Sequence, residues 1–122
     1  MSEKLVLLFN PNPRGYEGEE DQYCIPPMSL LAISAPLLAN GYTVKLVDQT
    51  VDKNYKNKIL EYVDKALCLG ITSMTGHQII GGLEIAKLVR NKNKKLPIVW
   101  GGYHPSIFPE EYKCVSTTPD YI

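Results

Sequence analysis

The side chains that could do chemistry gather in two short stretches. Ser73-Met74-Thr75-Gly76-His77 follows the apolar run ALCLGIT, and Gly101-Gly102-Tyr103-His104-Pro105 follows PIVW. Hydroxyls such as Ser73 and Thr75 can donate to a ligand, or they can cap a helix that follows. A glycine pair permits positive φ and close backbone approach. That serves a ligand lying flush on the chain, or simply a tight turn. His77 and His104 are the only histidines, and neither has acidic or cysteine partners at ligand spacing. That makes a weak metal signal, and packing or helix capping is the favoured reading of each. No Ser/His/Asp arrangement stands out, and Glu17, Glu19, Glu20 and Asp21 read as a solvated loop run. No residue is singled out as catalytic or as a metal ligand. G-x-G-x-x-G is absent after the first apolar run, and so is a P-loop, which argues against a nicotinamide site and an NTPase.

The elements that must position these stretches follow from hydrophobic pattern. Leu5 to Phe9 is a continuous apolar run, the mark of a strand buried on both faces. Residues 10–27 are polar and rich in Pro and Gly, a long loop of a length that is often functional or mobile. Ser29 to Asn40 has helical spacing and ends at Gly41, with Pro36 expected to kink or shorten it. Thr43 to Asp48 is a second strand. Tyr55, Ile59, Tyr62 and Val63 form a helical stripe. Ala66 to Thr72 is a third strand, His77 to Arg90 a further helix, and Pro97 to Trp100 a fourth strand. Ser106 to Tyr112 is expected to be a short helix. Strand alternating with helix predicts a doubly wound α/β fold. In such sheets ligands bind beyond the carboxyl ends of the strands, where both chemical stretches fall.

Composition narrows the class. The 122 residues fit one domain, 1–122, with 44% hydrophobic and 21% charged residues. Thirteen Lys+Arg balance thirteen Asp+Glu, so no net field favours nucleic acid or an anionic membrane. The basic run Arg90 to Lys95 reads as a helix C-terminus with cations set against the dipole. Cys24, Cys68 and Cys114 are widely spaced and odd in number, and no signal-like segment precedes them. These features predict a cytoplasmic protein with reduced thiols, Cys68 being a small core residue. The chain stops at Asp120-Tyr121-Ile122, where a fifth strand should begin. It therefore reads as part of a longer protein, and an exposed sheet edge would offer a route to an edge-strand dimer.

Taken in order, several segments resemble the N-terminal cobalamin-binding domain of cobalamin-dependent radical S-adenosylmethionine enzymes, the methyltransferases and the anaerobic Mg-protoporphyrin monomethyl ester cyclase-like group. They are Pro26-Pro27-x-Ser29-Leu30-Leu31, Asn40-Gly41-Tyr42 with Val44 and Leu46-Val47-Asp48, Gly70-Ile71-Thr72-Ser73-Met74-Thr75, and Val99-Trp100-Gly101-Gly102-x-His104-Pro105. Pro119-Asp120-Tyr121-Ile122 resembles the lead-in to that family's fifth strand.

The resemblance implies a flavodoxin-like (Rossmann-like) three-layer fold with a parallel sheet of four to five strands, truncated at its C-terminal side. It implies cobalamin (vitamin B12) on the carboxyl edge, held by Ser73, Met74, Thr75, Gly76, Gly101, Gly102, Tyr103 and His104. Ser73 and Thr75 would bond the nucleotide tail, and Gly101 and Gly102 would let it pass. Valine at either glycine is expected to weaken cobalamin retention without unfolding the domain. Two departures matter. The loop 10–27 contains no histidine, so the Asp-x-His-x-x-Gly cobalt ligand of the mutase and methionine synthase type is missing. Many radical enzymes of this group lack it too. The Cys-x-x-x-Cys-x-x-Cys cluster motif is also missing, so the iron–sulfur cluster and S-adenosylmethionine belong to a downstream radical domain. The implied role is to present cobalamin to that domain for methyl transfer or ring cyclisation. On residues alone, a flavin- or nucleotide-binding flavodoxin-like domain and a ligand-free regulatory α/β module remain open.

Overall fold

A computed structural model describes residues 4–13, 26–74 and 76–110. Among these residues four strands alternate with four helices: β1 (Leu5–Asn10), α1 (Met28–Ala39), β2 (Thr43–Asp48), α2 (Tyr55–Tyr62), β3 (Ala66–Thr72), α3 (His77–Lys92), β4 (Ile98–Gly101) and α4 (Tyr103–Ile107). The strands form one parallel sheet in the order β2-β1-β3-β4. β1 is buried along its whole length, as its unbroken apolar run requires.

The strand order dictates the layers. The step from β1 to β2 runs one way across the sheet, whereas the steps to β3 and β4 run the other. Right-handed crossovers therefore put α1 on one face and α2 and α3 on the opposite face. The packing agrees. Leu7, Phe9, Val47, Leu69, Ile71, Ile98 and Trp100 join Ile59 of α2 and Ile85 and Val89 of α3 in the main core. Val6 and Leu8 turn the other way and meet Leu30 of α1. The architecture is thus three-layered, doubly wound and flavodoxin-like.

Two glycines let α3 settle on the sheet. A Cβ at Gly82 would come within 2.9 Å of the Trp100 ring and 3.1 Å of Ile71. One at Gly81 would lie 3.1 Å from Pro11, just past β1. At the far end of α3 the basic run ties the helix down. Arg90 donates to the Leu96 carbonyl, and the Lys92 ammonium to the Leu60 carbonyl at 2.6 Å.

Several boundaries differ from the sequence expectation. α1 runs unbroken through Pro36, and Asn40 closes it by donating its backbone and side-chain N–H to the Pro36 carbonyl. Its apolar residues do not all face inward: Leu30 is buried, while Leu31, Ile33 and Leu38 are exposed. Cys68 is half-buried beside the smaller cluster rather than in the main core. The fourth helix begins at Tyr103, not Ser106, because Gly102 turns the chain at once. Thr75, Cys24, Cys114, most of the 10–27 loop and the Pro119–Ile122 lead-in lie outside the described residues.

Candidate functional site

β3 and β4 end side by side, with Thr72 paired to Gly101. The loops beyond them are laced together. Ser73 donates its N–H to the Gly101 carbonyl at 2.9 Å, and His104 donates its N–H to the Ser73 carbonyl at 3.3 Å. Ser73, Met74, Gly101, Gly102, Tyr103 and His104 are thereby brought to one corner of the sheet, and Gly76 opens α3 beside them.

The two neighbouring glycines have different reasons to be glycine. Gly102 has φ of +94°, and a Cβ there would sit 2.6 Å from the Ser73 carbonyl oxygen and 3.0 Å from its nitrogen. Its bareness lets one strand-end loop lie flush on the other, and valine at 102 would strain the fold itself. Gly101 is an ordinary strand residue with no atom within 4 Å of a Cβ built on it. Packing does not require glycine there.

Gly101 opens onto the α1 face of the sheet. Strand alternation places Thr72, Val99 and Gly101 on that face, because Ile71, Ile98 and Trp100 point into the main core. Val99 and Gly101 stay half-exposed. Across from them the first turn of α1 approaches, with the hydroxyls of Ser29 and Thr72 3.4 Å apart. The result is a bare strip floored by Thr72, Val99 and Gly101 and walled by Ser29. Close in sequence to these residues are exposed apolar side chains: Met28 (66%), Met74 (55%) and Tyr103 (73%).

The remaining expected site residues take distinct places. Ser73 is fully buried, and its hydroxyl donates to the Met74 carbonyl at 3.2 Å. It does not cap α3, whose N-cap is Gly76 at φ +112° with no side-chain cap. The His104 ring is buried against Phe108, with centroids 5.2 Å apart. His77 is exposed at the start of α3. Thr72 and Ser29 were not singled out from sequence as ligand-facing. The period-2 alternation of ALCLGIT already put Thr72 on the face opposite Ile71, so that signal was present.

Elsewhere on this edge, Asn10 donates to Asp48 at 3.1 Å, joining the ends of β1 and β2. Beyond β2 the Lys58 ammonium bonds Asp52 at 2.5 Å and holds its carboxyl below the usual range. Among the described residues no group of three His, Cys, Asp or Glu side chains is placed to hold a metal ion, and no helix is long and apolar enough to cross a membrane. A groove of about 540 Å³ lies at the opposite end of α1, lined by Ile33, Pro36, Leu37, Asn40 and Tyr42. It borders the start of β2, away from the carboxyl ends of the strands. Concavity and strand-end chemistry thus disagree, and position in a parallel sheet is the stronger guide to a ligand site.

Comparison with known proteins identifies the family. The family model described as the B12 binding domain matches residues 18–118. The anaerobic magnesium-protoporphyrin IX monomethyl ester cyclase of Synechocystis sp. is 27% identical over 106 residues, covering 83% of this chain and 21% of that protein. The chain thus spans about a fifth of the length of this curated relative. No solved structure matches it. The residues around the strip suit a corrinoid. There is room at Gly101 that a Cβ would take, hydroxyls at Ser29 and Thr72, and exposed apolar side chains close in sequence for a broad ring. The chain belongs to the B12-binding domain family, and its cofactor is cobalamin.

Proposed function

We propose that this domain holds cobalamin on the carboxyl edge of its sheet and presents it to a downstream radical S-adenosylmethionine domain of the same polypeptide. The reaction served is methyl transfer or ring cyclisation. The observation that carries the placement is Gly101: its open Cβ position faces the bare strip, where nothing in the protein demands glycine. When bound, cobalamin supplies a cobalt centre that can carry a methyl group. The chain's own part is to bind and orient. Gly101 lets the cofactor's tail lie against the strand, and Gly102 fixes the loop that borders it. Ser73, Met74 and Gly76 belong to the second bordering loop. Met74 and Tyr103 cover the ring edge and exclude water. His104 acts from beneath, through its backbone bond to Ser73 and its ring packing on Phe108.

The downstream partner rests on the likeness to the longer cyclase and on the missing cluster cysteines. Its test is the coding sequence beyond Ile122. A cysteine triplet of the radical type supports presentation to such a domain, and a stop codon directly after Ile122 overturns it. The same reading places the protein in the cytoplasm with cobalamin and that domain as partners. β4, an outer strand of the described sheet, would be the edge for any pairing of two copies, which sedimentation would detect.

A further inference from the structure

One buried side chain ties the strand-end loops to each other. Gln78 lies in the first turn of α3 and is 6% exposed. Its Oε1 accepts the Met74 N–H at 2.8 Å. Its Nε2 donates to the Pro11 carbonyl at 2.8 Å and to Asn10 Oδ1 at 3.1 Å. The orientation of the amide is forced, because the Met74 N–H can only donate and the Pro11 carbonyl can only accept. Asn10 is then oriented in turn. With Oδ1 occupied by Gln78, its Nδ2 donates to Asp48 Oδ1, which also receives the N–H and hydroxyl of Thr50. The backbone N–H of Gln49 donates to the Asn10 carbonyl, and Gln49 Oε1 accepts the N–H of Asn12. A directional chain of bonds thus runs from the loop after β3, through Gln78, to the loops after β1 and β2.

We infer that Gln78 is a positioning residue for cobalamin: it clamps Met74, in the loop after β3, to Asn10 and Pro11 at the end of β1, so that the loops bordering the cofactor are held in one arrangement before it binds. This rests on cobalamin occupying the strip as proposed above. Gln78 itself touches neither Gly101 nor the strip in the bonds described. Its effect passes through Met74 and Pro11. Preorganised loops bind more tightly because less ordering is left to pay for at binding.

The test is the affinity for hydroxocobalamin of the full chain and two near-isosteric variants, Gln78→Met and Gln78→Glu, measured well below their melting temperatures. Methionine removes all three bonds. Ionised glutamate keeps the shape but turns two donors into acceptors that face the Asn10 and Pro11 oxygens. No atom bonded to Gln78 is ionisable. The chain of bonds reaches a charged group at Asp48 of β2, one bond beyond Asn10, and His77 is the titratable sequence neighbour on α3. Protonation of the introduced glutamate returns one donor, so the deficit of Gln78→Glu relative to wild type should shrink as pH falls. We expect both variants to bind at least about tenfold more weakly at about pH 8, and Gln78→Glu alone to recover most of that by about pH 5. Hydrogen exchange on the wild-type chain gives a second reading that needs no variant. The Met74 amide should be protected although its side chain is exposed. Folded variants that bind like wild type at every pH, or a Met74 amide that exchanges freely, overturn the inference alone. A wild-type chain that retains no corrinoid overturns the cobalamin site and this inference together.

Discussion

Gly101 and Gly102 show how much one atom decides. Alanine at 102 meets the Ser73 backbone and must adopt positive φ, so it should cost about 1–3 kcal/mol in urea unfolding. Alanine at 101 should change stability by less than about 0.5 kcal/mol, since its Cβ meets nothing. Equal losses at both positions would contradict this division. From sequence the pair read as one device, and valine at either was expected to leave the fold intact. Gly102 departs from that, because its reason lies in a backbone 29 positions earlier that only the pairing of β3 with β4 brings close. Cys68 gives a second test at this scale. Burial pushes its thiol up, so less thiolate is present at neutral pH. Its alkylation, followed by mass spectrometry of the peptide, should be slower than that of a free thiol and should speed up as pH rises. Alkylation as fast as a free thiol at neutral pH would count against the burial seen for it.

At the scale of elements, the packing of α3 on the sheet makes the clearest prediction. Gly82→Val drives a side chain into Trp100 and Ile71, and overpacking of this kind costs about 1–3 kcal/mol. A variant as stable as wild type would mean that α3 does not sit as described. The elements themselves were largely legible in the residues. The bounds of β2 and β3 match the stretches 43–48 and 66–72; β3 announces itself by a nearly continuous apolar run, as strands inside a parallel sheet do, whereas β2 is an outer strand with Lys45 in its middle. α4 was displaced by three residues, since Gly102 starts a helix with no capping side chain to signal it. α1 was legible as a helix but not in its facing. It carries no charged residue from Met28 to Ala39, so its pattern could not say which side meets the sheet. The Gln78 clamp was invisible for another reason. Its partners lie 67 and 68 positions away, and a lone glutamine in a helix has no sequence signature.

For the whole molecule, a neutral chain with a small core gains stability by holding its cofactor. Free hydroxocobalamin at about a hundred times its dissociation constant should stabilise the fold by about 2.7 kcal/mol if the unfolded chain does not bind it. Thermal unfolding at rising cofactor concentration measures this, and a melting temperature that does not move would rule out binding to the folded state. The most direct measurement of the central claim is retention of corrinoid by wild type and by Gly101→Val after mixing with hydroxocobalamin and desalting, read from the visible spectrum. The bare strip predicts that wild type keeps the corrinoid. It also predicts that the variant stays folded yet binds at least about tenfold more weakly, because valine fills the space beside Thr72. A folded Gly101→Val protein that retains corrinoid as well as wild type would contradict the placement of cobalamin on this edge.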